Sequence, residues 1–378
     1  MNFLMVCGGT AGHINPALAI ATMLRSIVPD AKILFVGAGK ELEKRLVPSA
    51  GFHLVNIEMS GLKRGFSPDE LIYNAHTFRS LATAGVKAGK LIARYAPSAV
   101  IGTGGYICYP ILKKAANMGV PTVIHGSDAV PGLTTKLLSS VVDKVLVSFP
   151  GLEARYRRPE RVVFTGTPVR SGFLEAVGGN ATESSGATES SGKKPHVVSF
   201  WGSQGAEPMN EKITGFIKLN IDSGRFDHIH ATGRAGGVQE MKNRLKRLGA
   251  QCELPPGVEI REYIDDMPSV MAAADIVLCR AGASTLAELT VLGKPAVLVP
   301  SPYVTNNHQE ENAKQLQKAG GAVMLREKDC TGEALYELVS SLLADRERLS
   351  QMSLAQKTLA APDAVERIVN VVMELCTK

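Results

Sequence analysis

At 378 residues the chain is long enough for two domains, and with 45% hydrophobic and 21% charged residues it has the make-up of a globular protein. No stretch approaches the ~18 uninterrupted apolar residues of a membrane span, and the opening apolar run breaks at Gly8-Gly9, too early for a secretory leader. The net charge of +6 suits an anionic partner, but with a single Trp and no interleaving of basic and aromatic residues, nucleic acid is the weakest such reading. Six cysteines at 7, 108, 252, 279, 330 and 376 form no CxxC pair, which argues against a zinc site or disulfide framework and for a reducing, cytoplasmic setting.

The first predicted element is a short apolar strand, Phe3-Leu4-Met5-Val6-Cys7. It runs into Gly8-Gly9-Thr10-Ala11-Gly12-His13, and a helix is expected from about Pro16, since proline is tolerated in a first helical turn. This glycine-rich turn is not GxGxxG and lacks the acidic residue that holds a dinucleotide ribose, so a plain NAD site is a weak reading. His13 is expected at the tip of the turn, at a strand's carboxyl end, where open α/β sheets bind ligands.

Further strands are predicted near residues 32–36, 99–102, 121–125 and 144–147, with a long helix over about 69–94. Between 61 and 94 the sequence mixes Leu62, Phe66, Leu71, Ile72, Phe78 and Leu81 with Lys63, Arg64, Arg79, Lys87, Lys90 and Arg94. That pattern fits an interfacial surface on anionic lipid, or equally a helix with a core stripe and a solvated basic face. A domain boundary is expected near Thr165-Gly166-Thr167-Pro168-Val169-Arg170, followed by a polar duplication at 181–192 that has nothing to bury.

The second half repeats the strand–helix alternation, with strands near 197–201, 228–232, 258–261, 276–279 and 296–299. The runs are short and continuous, as expected of parallel strands covered on both faces. Two such arrays imply two doubly wound α/β domains. After Ile276-Val277-Leu278 comes Cys279-Arg280-Ala281-Gly282-Ala283-Ser284-Thr285-Leu286-Ala287-Glu288. Unsatisfied N–H groups and the helix dipole make such a helix start an anion site, and the hydroxyls of Ser284 and Thr285 could add donors. Glu288, one turn further on, could accept from the two hydroxyls of a ribose. The alternative is an ordinary N-cap and a surface glutamate. The last segment, 364–375, reads as an amphipathic helix able to pack back on the first domain.

Taken in order, several segments carry a specific resemblance. They are Gly8 to His13, Gly102-Thr103-Gly104-Gly105-Tyr106, the 124–134 run that includes His125-Gly126-Ser127-Asp128, Thr167-Pro168-Val169-Arg170, Gly202-Ser203-Gln204-Gly205-Ala206, Tyr263-Ile264-Asp265-Asp266-Met267, the Arg280–Glu288 turn and Asn307-His308-Gln309-Glu310-Glu311-Asn312-Ala313. Over essentially its whole length the chain resembles the peptidoglycan N-acetylglucosaminyltransferases of glycosyltransferase family 28. That resemblance implies the glycosyltransferase-B fold, two Rossmann-like domains facing a cleft. It places an acceptor and membrane-facing domain at 1–166, joined by helix 362–376, and a UDP-GlcNAc domain at 167–361 with a flexible insertion at 178–194.

The implied reaction moves GlcNAc with inversion from UDP-GlcNAc to the MurNAc 4-hydroxyl of undecaprenyl-linked lipid I, giving lipid II at the cytoplasmic face of the cell membrane. No cofactor and no metal are implied, in keeping with the lack of an Asp-x-Asp sequence. By resemblance, uracil meets the backbone of Ile264, the diphosphate meets Ser203 and the 283–287 turn (Ala283, Ser284, Thr285, Leu286, Ala287), and the ribose meets Glu288. Arg170, His308, Gln309 and Asn312 complete the donor side. Thr10, Ala11, Gly12, Tyr106 and Asp128 line the acceptor side. The general base is expected to be His13, with His125 and Asp128 as rivals. Three departures stand out: Ala11 stands where the family has Gly, Trp201 stands where the family commonly has Gly, and the family's His-Glu-x-Asn reads His125-Gly126-Ser127-Asp128. Another UDP-sugar transferase, a UDP-GlcNAc 2-epimerase and a non-catalytic UDP-GlcNAc-binding paralogue are the competing readings.

Overall fold

The computed structural model describes residues 1–59, 67–180, 194–234, 236–251 and 253–377. The duplicated segment 181–192 and the 61–66 part of the basic–apolar stretch lie outside them. The chain divides into two compact units, Met1–Val169 with Ala361–Lys378, and Arg170–Ala360.

Unit 1 runs β1 (Asn2–Cys7), α1 (Ala11–Ile27), β2 (Lys32–Gly37), α2 (Glu41–Ser49), β3 (His53–Asn56), α3 (Pro68–Tyr95), β4 (Ala99–Gly104), α4 (Cys108–Asn117), β5 (Thr122–Gly126), α5 (Leu133–Leu138), β6 (Lys144–Val147) and β7 (Val162–Phe164). Unit 2 runs α6 (Ser171–Asn180), β8 (His196–Phe200), α7 (Glu207–Ser223), β9 (Asp227–Ala231), α8 (Val238–Arg247), β10 (Val258–Arg261), α9 (Met267–Ala273), β11 (Ile276–Cys279), α10 (Ala283–Leu292), β12 (Ala296–Leu298), α11 (His308–Ala319), β13 (Ala322–Met324), α12 (Gly332–Ala344) and α13 (Arg346–Thr358). The chain then returns to unit 1 as α14 (Ala364–Cys376).

Both sheets are parallel. Their orders are β3-β2-β1-β4-β5-β6-β7 and β10-β9-β8-β11-β12-β13. Helices cover both faces of the central strands, and β4 and β11 are buried at every position. In each sheet the strand order reverses once, between β1 and β4 and between β8 and β11. Ligands of open α/β sheets bind at the carboxyl ends of strands beside such a reversal. The register brings the right segments there: Phe200 pairs with Cys279, so the turns after β8 and β11 leave side by side.

The core of unit 1 gathers Phe3, Met5, Ile14, Ile20, Phe35 and Ile101, together with Ile368, Val369 and Val372 of α14. The core of unit 2 gathers Trp201, Met209, Ile213, Phe216, Leu278 and Val339.

Two expectations need correcting. The first helix starts at Ala11, five residues ahead of Pro16, so His13 belongs to its first turn rather than to a loop tip. Pro16 sits within the helix, where its missing N–H costs one bond, and the helix continues because its buried face, Ile14, Ala17, Ile20, Ala21 and Leu24, is packed. The short strands β3, β7 and β13 were not anticipated. All three lie at sheet edges, carry only three or four residues and are partly exposed.

Candidate active site

Unit 2 carries the residues assigned to the donor. Gly282 is the N-cap of α10 and no side chain caps it. The first bond into the helix is Leu286 N–H to the Gly282 carbonyl, 3.0 Å, so the N–H groups of Ala283, Ser284 and Thr285 stand ahead of the helical ladder. Three aligned donors at the positive end of a helix form a phosphate seat.

The loop leading into this helix is fixed from below. The buried Arg280 guanidinium pairs with Glu327 at 2.6 Å and donates to the Val299 carbonyl at 3.0 Å. Asn312 is fully buried and donates to the Ala281 carbonyl at 3.1 Å. Asn312 therefore supports the loop from beneath instead of lining its outer face.

Across the switch point, the turn after β8 carries Ser203 on an exposed bend between Gly202 (φ +90°) and Gly205 (φ +80°). Gly205 has no room for a Cβ, which would lie 2.1 Å from the Thr232 carbonyl. The Ser203 carbonyl accepts from Arg234 N–H at 3.3 Å, joining this turn to the one after β9. Arg234 in turn lies over the ring of the exposed Tyr263, 5.3 Å from its centroid. The Ile264 side chain is buried, which leaves its backbone as the part a base edge could address.

Glu288, one turn into α10, is largely buried and forms an ion pair with Arg170: Nη2 at 3.1 Å and Nε at 3.3 Å, both on Oε1. Burial pushes its carboxyl up to about 6, against the opposing pull of Arg170. Two residues assigned to the ligand on separate grounds are thus partners of one another. Oε2 takes no part in either bond, so it can still accept from a hydroxyl.

His308 and Gln309 open α11. His308 Nδ1–H donates to the Thr305 carbonyl at 2.8 Å, which leaves Nε2 as an acceptor in the neutral ring. That suits a sugar hydroxyl better than a phosphate oxygen. The Gln309 side-chain carbonyl accepts from Ser301 N–H at 2.9 Å, which leaves its NH2 group as the donor end.

Unit 1 carries the residues assigned to the acceptor side. Thr10 is the N-cap of α1, again without a side-chain cap, and both His13 and Ile14 donate back to its carbonyl. The N–H groups of Ala11 and Gly12 precede them. Ala11 is helical, so alanine in place of glycine costs nothing at this position.

His13 Nδ1 lies 2.9 Å from the Gly8 carbonyl. A carbonyl only accepts, so Nδ1 carries the proton and Nε2 keeps its lone pair. The ring packs on Gly104, where a Cβ would come within 2.4 Å of His13 Cδ2. Tyr106 follows in the β4–α4 turn.

His125 is a different kind of histidine. It is 1% exposed, donates from Nε2 to the Gly166 carbonyl at 2.9 Å, and burial holds its imidazole below the usual range. Its Nε2–H is taken by that carbonyl, which ties β5 to the 165–168 segment, and the ring is closed off from solvent. Asp128 is half-buried in the bend after β5, close enough to act on His125 and Tyr156. At Gly126 a Cβ would meet Thr135 Cγ2 at 3.3 Å and Tyr156 Oη at 3.5 Å. That buried hydroxyl has no hydrogen-bond partner among the described residues.

Sequence reasoning gave no part to Glu43, Arg280 or Glu327. All three act through contacts between residues 19 to 47 positions apart, which no local pattern reveals.

Two doubly wound sheets, each with an uncapped helix start at its reversal, define the class as a glycosyltransferase-B fold. The family 28 glycosyltransferase N-terminal domain matches residues 3–147 and the C-terminal domain matches residues 196–368, so the chain belongs to glycosyltransferase family 28. It is 43% identical, over 99% of its own length and 98% of the other, to the UDP-N-acetylglucosamine–N-acetylmuramyl-(pentapeptide) pyrophosphoryl-undecaprenol N-acetylglucosamine transferase of Acetivibrio thermocellus. Among solved structures it matches MurG of Acinetobacter baumannii with a TM-score of 0.75 and 25% identity over 99% and 100% of the two chains. A UDP-GlcNAc 2-epimerase of Neisseria meningitidis shares the fold alone, at 12% identity and a TM-score of 0.68 over 99% and 100%.

Proposed function

We propose that this chain transfers GlcNAc from UDP-GlcNAc to the MurNAc 4-hydroxyl of undecaprenyl-linked lipid I, with inversion, and without a cofactor. The observation that carries the reading is the α10 start, where three free N–H groups precede a buried carboxylate one turn on, in a chain alike over its full length to a transferase of that name. The diphosphate sits on the N–H groups of Ala283, Ser284 and Thr285, helped by the hydroxyls of Ser284 and Thr285 and by Ser203. Ribose hydroxyls reach Glu288 Oε2, and uracil meets the backbone at Ile264.

As the bond from the sugar C1 to the diphosphate oxygen breaks, negative charge grows on UDP. The α10 dipole and its N–H groups meet that charge, and Arg170 adds a cation. The acceptor oxygen bonds to C1 from the opposite face, and its proton passes to His13 Nε2, the lone pair that the Gly8 contact leaves available. UDP leaves as the other product.

The lipid tail of the acceptor calls for contact with a membrane, and the anionic inner surface is the natural one for a chain of net charge +6. The exposed face of α3 supports this, with Lys87, Lys90 and Arg94 beside the 61%-exposed Val86, opposite the buried Ala84, Ala88 and Ile92. No described helix is long and apolar enough to cross a bilayer, and a peripheral contact fits that. The test is a transfer assay with UDP-GlcNAc and a soluble lipid I analogue. It should yield UDP and disaccharide in equal amounts; UDP release that ignores the acceptor would reject the proposal.

A further inference from the structure

Beneath the β1–α1 turn lies a carboxylate that belongs to neither the donor nor the acceptor set. Glu43, the third residue of α2, is fully buried. Its Oε2 accepts the N–H groups of Gly39 at 2.9 Å and Lys40 at 3.0 Å, closing the first turn of α2 as a capping box. Its Oε1 does something the helix does not need: it accepts Gly9 N–H, 34 residues away, at 3.0 Å.

The amide that Oε1 grips is the one His13 leans on. Gly9 N–H and the Gly8 carbonyl are two ends of a single peptide group, and that carbonyl accepts His13 Nδ1–H at 2.9 Å. A carboxylate on the N–H end pulls electron density toward the carbonyl and makes it a stronger acceptor, since linked hydrogen bonds polarise one another.

Three glycines clear the space. A Cβ on Gly37 would fall 2.5 Å from Glu43 Oε2, one on Gly8 would fall 3.1 Å from Oε1, and one on Gly104 would enter the His13 ring.

We propose that Glu43 is a positioning residue for His13. Acting through the Gly8–Gly9 peptide, it holds the Nδ1–H tautomer and strengthens Nε2 as a base. The arrangement matches a carboxylate–histidine pair with one amide inserted between the two. The proposal rests on the reading of His13 as the base. The other titratable groups around the ring and turn are His125 from β5, Asp128 from the bend after it, and the buried thiols of Cys7 and Cys108 beneath the turn.

The test compares kcat against pH for the parent, Glu43→Gln and His13→Ala, with UDP-GlcNAc and a soluble lipid I analogue. Glu43→Gln should lower kcat about tenfold while the donor KM stays within about twofold. Its acid limb should move to lower pH, because the imidazolium loses the support of the carboxylate. A limb that superposes on the parent's overturns the proposal even if kcat falls, since a loosened turn alone would lower kcat and leave the limb in place. His13→Ala should abolish the limb; if it keeps the parent's limb and rate, the base assignment fails and takes the proposal with it. Should Glu43→Gln not fold, nitrogen-15 NMR of His13 in the parent decides: Nδ1 protonated is expected, and Nε2 protonated overturns the relay.

Discussion

Glu288 is where charge, burial and position meet most closely. With its carboxyl pushed up to about 6, it becomes neutral as pH falls through that value, and a neutral acid is a poorer acceptor for ribose hydroxyls. UDP-GlcNAc binding should therefore weaken below about pH 6, and Glu288→Gln should abolish that dependence. The same variant should bind the donor about tenfold or more weakly at pH 7.5, the ~1.5–3 kcal/mol of a charged hydrogen bond. Calorimetry that finds parent affinity in the variant would refute the ribose assignment. The sequence marked Glu288 because its place one turn into an anion-binding helix is a local property. It could not mark the pairing with Arg170, 118 residues distant, nor separate His13 from His125, whose difference is one of burial.

At the level of elements, the donor loop depends on the buried Arg280–Glu327 pair. Arg280→Ala leaves an uncompensated carboxylate beneath α10 and should cost about 3–5 kcal/mol of stability, measured by urea unfolding. A loss under about 1 kcal/mol would mean that the pair is dispensable. A second buried set spans β8 and β9: Ser199 Oγ lies 2.8 Å from His228 Nε2 and 2.7 Å from His230 Nδ1. Burial lowers both imidazoles, His230 to about 3. The unfolded chain thus binds more protons than the folded one between about pH 6.5 and 3, so stability should fall steadily as pH drops through that window. Ser199→Ala should cost about 1–3 kcal/mol at neutral pH, because both rings lose their partner. A flat pH dependence of unfolding between 7 and 5 would contradict this account.

The same scale shows what a sequence can convey. Central strands announced themselves as continuous apolar runs, because both of their faces are covered. Edge strands such as β3, with only partial burial, did not. Pro16 marks a first helical turn in the sequence, but packing of Ile14 and Ala17 overrides it and α1 begins at Ala11.

Across the whole chain, both units use one device. Each carries an uncapped helix start at the reversal of a parallel sheet, α1 in one and α10 in the other. The pattern of the two arrays was legible in the sequence, and so was the amphipathic α14, whose Ile368, Val369 and Val372 enter the core of unit 1. Because N–H groups, a helix dipole and Arg170 meet the charge on the departing UDP, turnover should survive EDTA; loss on chelation and rescue by magnesium would show that a divalent ion supplies that charge. The central claim is acceptor-dependent GlcNAc transfer, and its most direct measurement is proton NMR of the products from UDP-GlcNAc and a soluble lipid I analogue. The account predicts one β-linked GlcNAc on the MurNAc 4-oxygen for each UDP released, and no UDP without acceptor. Release of UDP without acceptor, epimerised sugar, or an α linkage would contradict it.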